Sequence, residues 1–123
     1  MKPRLSVATM KRAVAARFPH EAKAADAQLL DYDDDAYETW IETFCDTTNE
    51  AMAKRDAQVV DAHLSFMSDQ LANGDDEVRR AVDVCYTENL MWSVDVEAKR
   101  WAWPRVPANL KQQYVDEWGE PDL

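Results

Sequence analysis

Apolar residues recur at intervals of three and four positions along much of this chain, a spacing that places them on one face of an α-helix. The pattern is clearest between residues 37 and 52. The predicted inner face of this helix comprises Tyr37, Trp40, Ile41, Phe44, Thr48, Ala51 and Met52. Asp35 and Glu38 have the spacing of a capping box, in which two side chains bond free amides of the first turn. A next helix is predicted from near Asp56 to Asn73, with a seam of Val60, Leu64, Met67 and Leu71.

Residues that start and stop helices define two more elements near the N-terminus. Ser6 is predicted to cap a first helix that ends near Phe18, because Pro19 stops it. Its predicted inner positions are Leu5, Ala8, Val14 and Phe18. A weaker helix is predicted over residues 21–30, with Ala22, Ala25, Leu29 and Leu30 on its inner side.

Three further helices are predicted after residue 73. Gly74 is expected to end the preceding helix in the left-handed conformation. The helix that follows is expected to bury Val78, Ala81, Val82, Cys85 and Leu90. Ser93 is predicted to cap a short helix that Pro104 ends, and Pro107 to begin a last one. The inner side of that last helix would carry Leu110, Tyr114 and Trp118.

The fold class that follows is all-α, a compact helical bundle or a short HEAT-like array of about six or seven helices. The 123 residues suffice for one domain with its own core, which we expect to span residues 1–123. Glycine occurs only twice, whereas sheet proteins need glycine at many tight turns. The apolar fraction of 46% excludes a disordered acidic tail.

Charge divides the chain unevenly. The formal net charge is −10, yet residues 1–23 hold six basic side chains and one acid, so the remainder carries −15. An acidic body repels nucleic acid and anionic membranes and attracts basic partners. The basic first helix is expected to pack against that body as an intramolecular charge partner. We predict no nucleic-acid binding and no membrane association.

The segment from Asp31 to Glu42 resembles a calcium-binding loop in spacing only. Asp31, Asp33, Asp35 and Glu42 fall at the first, third, fifth and twelfth positions of such a loop. The sixth position is Ala36, where the sharp turn requires glycine, and the helix pattern already begins there. An acidic turn that caps a helix explains the segment better than a metal site.

No other pattern predicts catalysis or a cofactor. The two histidines, His20 and His63, and the two cysteines, Cys45 and Cys85, lack the spacing of zinc ligands. The chain has no Gly-x-Ser-x-Gly elbow and no glycine-rich phosphate loop. Both cysteines are expected to be buried free thiols, although a disulfide between them stays open. We therefore expect a protein that is not an enzyme, binds no metal and has no cofactor.

Densely acidic turns and a group of tryptophans are the features that predict binding to another protein. Trp92, Trp101, Trp103 and Trp118 lie in the last third of the chain, with Arg100 and Arg105 near two of them. Trp101 and Trp103 cannot share one helix face, so at least one is expected to point away from the core. The predicted partner-binding residues are Asp31, Asp33, Asp34, Asp35, Glu38, Asp75, Asp76, Glu77, Trp101 and Trp103.

Two stretches of sequence carry a resemblance to a known family. They are Glu77–Leu90, which ends in Glu-Asn-Leu, and Pro107–Tyr114, which begins Pro-Ala-Asn-Leu; the segment Phe66–Asp75 adds to them. Over Tyr37–Tyr114 the chain resembles a family of small acidic all-helical bacterial proteins of unknown function. Some proteins of this kind are immunity proteins encoded beside polymorphic toxins. The resemblance implies a cytoplasmic antitoxin that neutralises a cognate toxin, and it implies no catalytic residues.

The function expected from these observations is occlusion of a toxin's active site by an acidic surface. The toxin would present a basic cleft, since opposite charge speeds capture. The alternative is a helical adaptor or effector chaperone that binds a protein through a hydrophobic groove. Cytoplasmic location follows from the absence of a signal-peptide pattern in the N-terminal residues.

Overall fold

The computed structural model describes residues 6–29 and 37–123, and within them the chain forms seven α-helices. They are α1 (Val7–Arg17), α2 (Pro19–Leu29), α3 (Tyr37–Ala53), α4 (Ala57–Asn73), α5 (Asp76–Ala81), α6 (Val96–Ala102) and α7 (Ala108–Trp118). A π-helical turn, Val82–Tyr86, and a 3-10 turn, Thr87–Asn89, continue α5. A second 3-10 turn, Trp103–Arg105, follows α6. The all-α fold class predicted from the sequence is confirmed.

Helix starts follow the capping chemistry of the sequence. Ser6, Asp56, Asp75 and Asp95 each accept a hydrogen bond from the backbone N–H three residues later. Such a bond satisfies an amide that the first turn leaves without an intrahelical partner. The prediction that Ser93 caps the sixth helix was wrong. That position lies in the preceding turn, where the N–H of Val94 donates to the carbonyl of Met91, so the helix starts two residues later.

Gly74 ends α4, but not in the left-handed conformation that we predicted. Its φ of −76° and ψ of 158° are open to any residue. Glycine is required there by space instead, because a Cβ atom would overlap Cγ1 of Val78 and lie 2.5 Å from the carbonyl oxygen of Gln70. The left-handed glycine is Gly119, with φ 78°, which caps α7.

The core lies around α3 and α4, as the apolar spacing predicted. Of the predicted inner face of α3, the described side chains Trp40, Ile41, Phe44, Thr48, Ala51 and Met52 are all buried. The predicted seam of α4 is buried as well. Val14 and Phe18 on the inner side of α1 are buried as predicted, whereas Ala8 is exposed and Val7 and Met10 are buried instead; Leu5 lies outside the described residues.

Two of the three basic side chains of α1, those of Lys11 and Arg17, cover aromatic rings. The Lys11 ammonium lies 5.4 Å from the centre of a Trp40 ring. The Arg17 guanidinium lies 5.4 Å from the Phe18 ring and 5.3 Å from the Phe66 ring. The two ion pairs between described residues both lie outside α1. Among the described residues no ion pair joins this helix to the acidic body, and α1 docks through apolar contacts and cation–π contacts.

Cys45 and Cys85 are buried free thiols, as predicted, and form no disulfide. Burial raises the pKa of Cys85 to about 12 and that of Cys45 well above its ordinary value. Both sulfurs are thus protonated at neutral pH, and a protonated thiol is a weak nucleophile. In the described residues, no helix is both long and apolar enough to cross a membrane.

Candidate functional site

Two tryptophan side chains project from the surface next to each other. Trp92 is 71% exposed and Trp118 is 50% exposed. Their ring centroids lie 6.1 Å apart, with 42° between the planes, which is within the range of a favourable aromatic pair. Trp118 was predicted to face the core, and its exposure corrects that prediction. Exposed tryptophans are enriched where proteins bind partners, so this pair marks a candidate interaction site.

Trp92 is positioned by a strained turn that a buried asparagine holds. Met91, just before it, has a φ of 65°, a conformation that costs a residue other than glycine on the order of 1 kcal/mol. The Met91 N–H donates to Oδ1 of Asn49 at 2.7 Å, and Nδ2 of Asn49 donates to the Asn89 carbonyl at 3.0 Å. One side chain of α3 therefore fixes both ends of the turn that presents Trp92.

Trp118 is positioned by hydrogen bonds between α7 and the 3-10 turn Thr87–Asn89. Its indole Nε1–H donates to the carbonyl oxygen of Glu88 at 2.9 Å. One helical turn and a half earlier, Oε1 of Gln113 accepts from the Thr87 hydroxyl at 2.9 Å. Because the indole N–H is bonded and the ring face is open, Trp118 is both ordered and accessible.

The two rings border a small open cleft. Its volume is about 190 Å³, and its walls are formed by Glu88, Leu90, Met91, Trp92, Lys99, Tyr114 and Trp118. This volume is below the range of about 300–1,000 Å³ that is usual for sites of drug-sized ligands. The cleft suits one side chain of a partner better than a cofactor.

Glu88 lines this cleft, and its charge acts on Glu42 of α3, so the cleft lies next to further carboxylates. We call them the acidic face: Glu38, Glu42, Asp46 and Glu50 on α3, Asp83 and Glu88 on the segment after α5, and Asp116 and Glu117 on α7. The four on α3 recur every fourth residue and are all exposed, so they form a stripe along one side of the helix. The segment Val82–Asn89, which we call the middle segment, contacts α3 and α7 and carries Asp83 and Glu88.

The carboxylates of the acidic face lie close enough to perturb one another. Partial burial and the charges of Glu38, Asp46 and Glu88 raise the pKa of Glu42. Partial burial and the charge of Glu50 raise the pKa of Asp46.

Like charges also act between the middle segment and α7. Partial burial and the charges of Glu117 and Asp116 raise the pKa of Asp83. None of the ion pairs between described residues involves the acidic face. Its like charges therefore repel one another in the free protein, and a cation brought by a partner would relieve that repulsion.

The π-helical turn explains how the middle segment reaches this position. In it the Thr87 N–H donates to the carbonyls of both Val82 and Asp83, so one turn contains an extra residue. An extra residue shifts the phase of the helix and turns the following side chains to a new face. Tyr86 and Cys85 stay buried, whereas Asp83 and Val84 are exposed.

The acidic residues predicted from the sequence are only partly brought together. Glu38 lies in the acidic face and is exposed. Asp75 accepts from the Val78 N–H at 2.9 Å, so its carboxylate caps α5, while Asp76 and Glu77 are exposed in the first turn of that helix. The remaining predicted positions, Asp31, Asp33, Asp34 and Asp35, lie outside the described residues.

The predicted anchors Trp101 and Trp103 are half-buried against the core and covered by cations of this chain. Arg105 lies 4.4 Å from the Trp101 ring centre and is also bonded to Asp61 at 2.9 and 3.1 Å. Lys111 lies 5.1 Å from a Trp103 ring centre, and Tyr114 packs on the same indole at 5.4 Å. These rings are less open to a partner than the pair that the structure brings together.

Sequence analysis missed most of the acidic face and the exposed aromatic pair. The i, i+4 spacing of Glu38, Glu42, Asp46 and Glu50 was a readable signal, because it places four acids on one side of a helix. Trp92 and Trp118 are 26 positions apart in the chain, and no local pattern could have joined them.

A second group of polar side chains lies inside the core. The Thr48 hydroxyl is 2.9 Å from Nδ1 of His63 and 2.9 Å from the Tyr86 hydroxyl. The imidazole packs between the rings of Phe18 and Phe44, at 4.8 and 4.6 Å. Burial lowers the pKa of His63, against the raising effects of Glu21 and Asp56. The group is sealed by aromatic rings and contributes to packing more readily than to binding.

No arrangement of three or more histidine, cysteine, aspartate or glutamate side chains suited to a metal ion occurs in residues 6–29 and 37–123.

Comparison with known proteins gives one match. No curated protein and no solved structure is significantly similar to the chain. A family described as Domain of unknown function (DUF7674) matches residues 12–119, which include the acidic face and both exposed tryptophans. That match extends beyond Tyr37–Tyr114 at both ends, and the family's description names no activity and no partner. Since the match covers most of the chain, this protein belongs to the DUF7674 family.

Proposed function

We propose that this protein is an immunity protein, which binds a cognate toxin domain stoichiometrically and occludes its active site or substrate groove. The observation that carries the proposal is the exposed pair Trp92 and Trp118 next to the acidic face. An aromatic anchor beside a predominantly negative surface is the composition expected of an interface that recognises a partner of opposite charge.

The electrostatics of the free protein support a basic partner. Mutual repulsion helps to raise the pKa values of Glu42, Asp46 and Asp83, and this repulsion is relieved when positive charge approaches. The field of such a surface also steers a basic partner during diffusion and raises the association rate. Fast capture suits an antitoxin, because few toxin molecules need to escape to do damage.

Occlusion requires no chemistry from the immunity protein itself. A toxin that cleaves or modifies nucleic acid or nucleotides holds its anionic substrate with lysine and arginine side chains. The acidic face would occupy those side chains in place of the substrate, and the tryptophan pair would anchor the complex. The proposal therefore explains the exposed acids and the exposed aromatics together.

The alternative of an adaptor that binds an apolar helix has less support. A helix-binding groove must accept several side chains spaced along one to two turns. The cleft at Trp92 holds about 190 Å³ and is bordered by Glu88 and Lys99. Its size and polarity favour one polar side chain at this position.

The test is co-expression with a toxin domain encoded beside this protein in its genome, carrying a basic active-site cleft. The expected result is rescue of growth and a 1:1 complex on gel filtration. Changing Asp83 and Glu88 to Asn and Gln should weaken the complex. The matched control changes Asp76 and Glu77 to Asn and Gln, which removes charge from the start of α5 and leaves the acidic face intact.

Three outcomes would contradict the proposal or a part of it. Failure of the wild-type protein to rescue growth or to form a complex with the adjacent toxin removes the immunity function. Steering predicts that the association rate falls on the order of tenfold or more between 50 and 500 mM salt. An association rate without this fall would contradict the steering mechanism. A larger effect of the control than of the acidic-face variant would move the interface to the start of α5.

A further inference from the structure

The tryptophans of this chain fall into two groups according to what covers their rings. Three carry a cation of the chain itself: Lys11 over Trp40 at 5.4 Å, Arg105 over Trp101 at 4.4 Å and Lys111 over Trp103 at 5.1 Å. A cation over an indole face is attracted by the negative charge of the π-system. In this fold, covering an indole with a basic side chain is thus the usual arrangement.

Trp92 and Trp118 are the exceptions. No basic side chain of the described residues lies over either ring. They are also the most exposed tryptophans; their planes are inclined at 42° to each other, and both side chains line the cleft. The two indole faces that lack a cation are therefore the two that an external side chain can reach.

We propose that this cleft binds one arginine side chain of the partner protein, with the guanidinium against the indoles of Trp92 and Trp118 and near Glu88. This inference rests on the proposed function and names the chemistry recognised at its centre. A guanidinium is planar and weakly hydrated, so it stacks on aromatic rings better than an ammonium group does. The adjacent acidic face supplies the complementary charge.

The site is held in shape before any partner arrives. The Trp118 indole is fixed by its hydrogen bond to the Glu88 carbonyl, and the turn before Trp92 is fixed by Asn49. Preorganised groups lose little conformational entropy on binding. Lys99 also lines the cleft, and its ammonium covers neither ring, so it leaves the site open while its charge opposes an incoming cation.

The experiment uses hexaarginine and hexalysine peptides with blocked ends, titrated by calorimetry into the full chain at low salt. Bulk attraction to the acidic face acts on both peptides, whereas the cleft distinguishes them. Wild-type protein should bind hexaarginine more tightly than hexalysine, and Trp92→Ala should weaken hexaarginine binding about 2- to 30-fold. The preference for arginine should disappear in this variant.

Two further variants sharpen the result. Trp101→Ala is the matched control, because Arg105 already occupies that ring, and it should leave the preference unchanged. Lys99→Gln removes the opposing charge, so it should tighten hexaarginine binding.

Equal affinities of the wild type for the two peptides, or a preference that survives Trp92→Ala, would overturn the arginine cleft. An unchanged or weaker affinity in Lys99→Gln would also contradict binding within it. These outcomes are separate from the toxin test. A protein that rescues growth but shows no arginine preference supports the proposed function and contradicts the arginine cleft. A protein that shows the preference but does not rescue growth supports the cleft and contradicts the immunity function.

Discussion

The hydroxyl of Thr48 lies 2.9 Å from Nδ1 of His63 in the centre of the core. The same hydroxyl lies 2.9 Å from the hydroxyl of Tyr86, so a single threonine links α3 to α4 and to the π-helical turn. The hydroxyl also lies 3.4 Å from the Phe44 carbonyl oxygen, which can only accept. Its one proton goes to one of these three neighbours, and its oxygen can accept hydrogen bonds as well. Every member of this group is buried.

Thr48→Val should therefore destabilise the protein by about 3 kcal/mol, because it leaves two buried polar groups without this partner. The shape of the side chain is nearly unchanged, so packing contributes little to the loss. Urea denaturation followed by circular dichroism measures it. Thr43→Val is the control, since that partly buried hydroxyl bonds only the Thr39 carbonyl of its own helix, and it should cost about 0.5 kcal/mol. Equal losses in the two variants would contradict the linking role of Thr48.

The lowered pKa of His63 predicts a pH dependence of stability. The unfolded chain takes up a proton on this histidine near pH 6.5, whereas burial keeps the folded form neutral to lower pH. Its contribution to the free energy of unfolding is therefore present above pH 6.5 and is lost as the pH falls toward the folded pKa.

The measurement compares the wild type with His63→Gln between pH 7.5 and 5.5. As the pH falls, the wild type should lose stability relative to the variant by at most about 1.4 kcal/mol per pH unit. The comparison uses the slope of the free energy of unfolding against pH. A constant loss of stability caused by the glutamine itself therefore does not affect the result. Parallel pH profiles would show that His63 does not titrate differently in the two states.

Neutralising the acidic face should stabilise the free protein. The folded pKa values of Glu42 and Asp46 lie above their ordinary values of about 4.3 and 3.9, so the folded state holds these protons more tightly. The penalty for ionising them is fully present above the folded pKa and disappears as the pH falls through it to the unfolded pKa.

Glu42→Gln is accordingly expected to raise the free energy of unfolding at pH 7 by about 0.5 kcal/mol, as expected for relief of like-charge pairs at helical spacing. The gain should shrink at pH 4 and in 0.5 M salt. Asp69→Asn, on the exposed side of α4, is the control and should change stability little. A loss of stability in Glu42→Gln would show that this carboxylate is not repelled by its neighbours.

Asn49→Leu should release the turn that presents Trp92. Without the amide, the buried Met91 N–H and the Asn89 carbonyl lose a partner, which costs about 2 kcal/mol. The strained φ of Met91 then lacks the bond that maintains it, so the indole signal of Trp92 in a ¹⁵N correlation spectrum should broaden or move.

Asn73→Leu is the matched control, because Asn73 is exposed and bonds only the Asp69 carbonyl of its own helix. It should leave both stability and the Trp92 signal nearly unchanged. An unaltered Trp92 signal in a folded Asn49→Leu protein would contradict the positioning role of Asn49.

Gly74→Ala tests whether lack of space, and not the backbone angle, requires glycine at the end of α4. A methyl group there would collide with Val78, and overpacking of this kind typically costs about 1–3 kcal/mol. Gly119→Ala has space around its Cβ but a φ of 78°, so its cost should be about 1–2 kcal/mol and come from the backbone alone. Replacing Val78 by Ala should rescue part of the loss in Gly74→Ala and none in Gly119→Ala.

The sequence was sufficient for features that depend on one helix at a time. The burial of Trp40 and Phe44 followed from a spacing of 3.6 residues, and the cap at Ser6 from side-chain chemistry. The choice of Asp95 over Ser93 depended on a hydrogen bond within the preceding turn, which no propensity encodes. Gly74 was misread because its neighbour Val78, rather than its own backbone angle, demands glycine.

The candidate site was harder to predict because it is assembled from distant elements. The π-helical turn changes the phase of residues 82–86, so a regular helical wheel misplaces the side chains that follow. The docking of α7 on the 3-10 turn then brings Trp118 beside Trp92. Trp101 and Trp103 were singled out for their local spacing. The cation over Trp101 comes from the following turn, at Arg105, whereas the cation over Trp103 comes from α7, at Lys111.

The contrast between covered and open indoles has an optical consequence. Trp40 is buried and should emit at short wavelength, whereas Trp92 and Trp118 meet water and should emit at longer wavelength. The negative field around the exposed pair should attract caesium and repel iodide, although both ions quench tryptophan emission in solution. Caesium should therefore selectively quench the emission at the long-wavelength edge of the spectrum. A partner bound to these rings would protect that emission from quenching. The native fluorescence of the chain can thus report occupancy of its own surface without any added label.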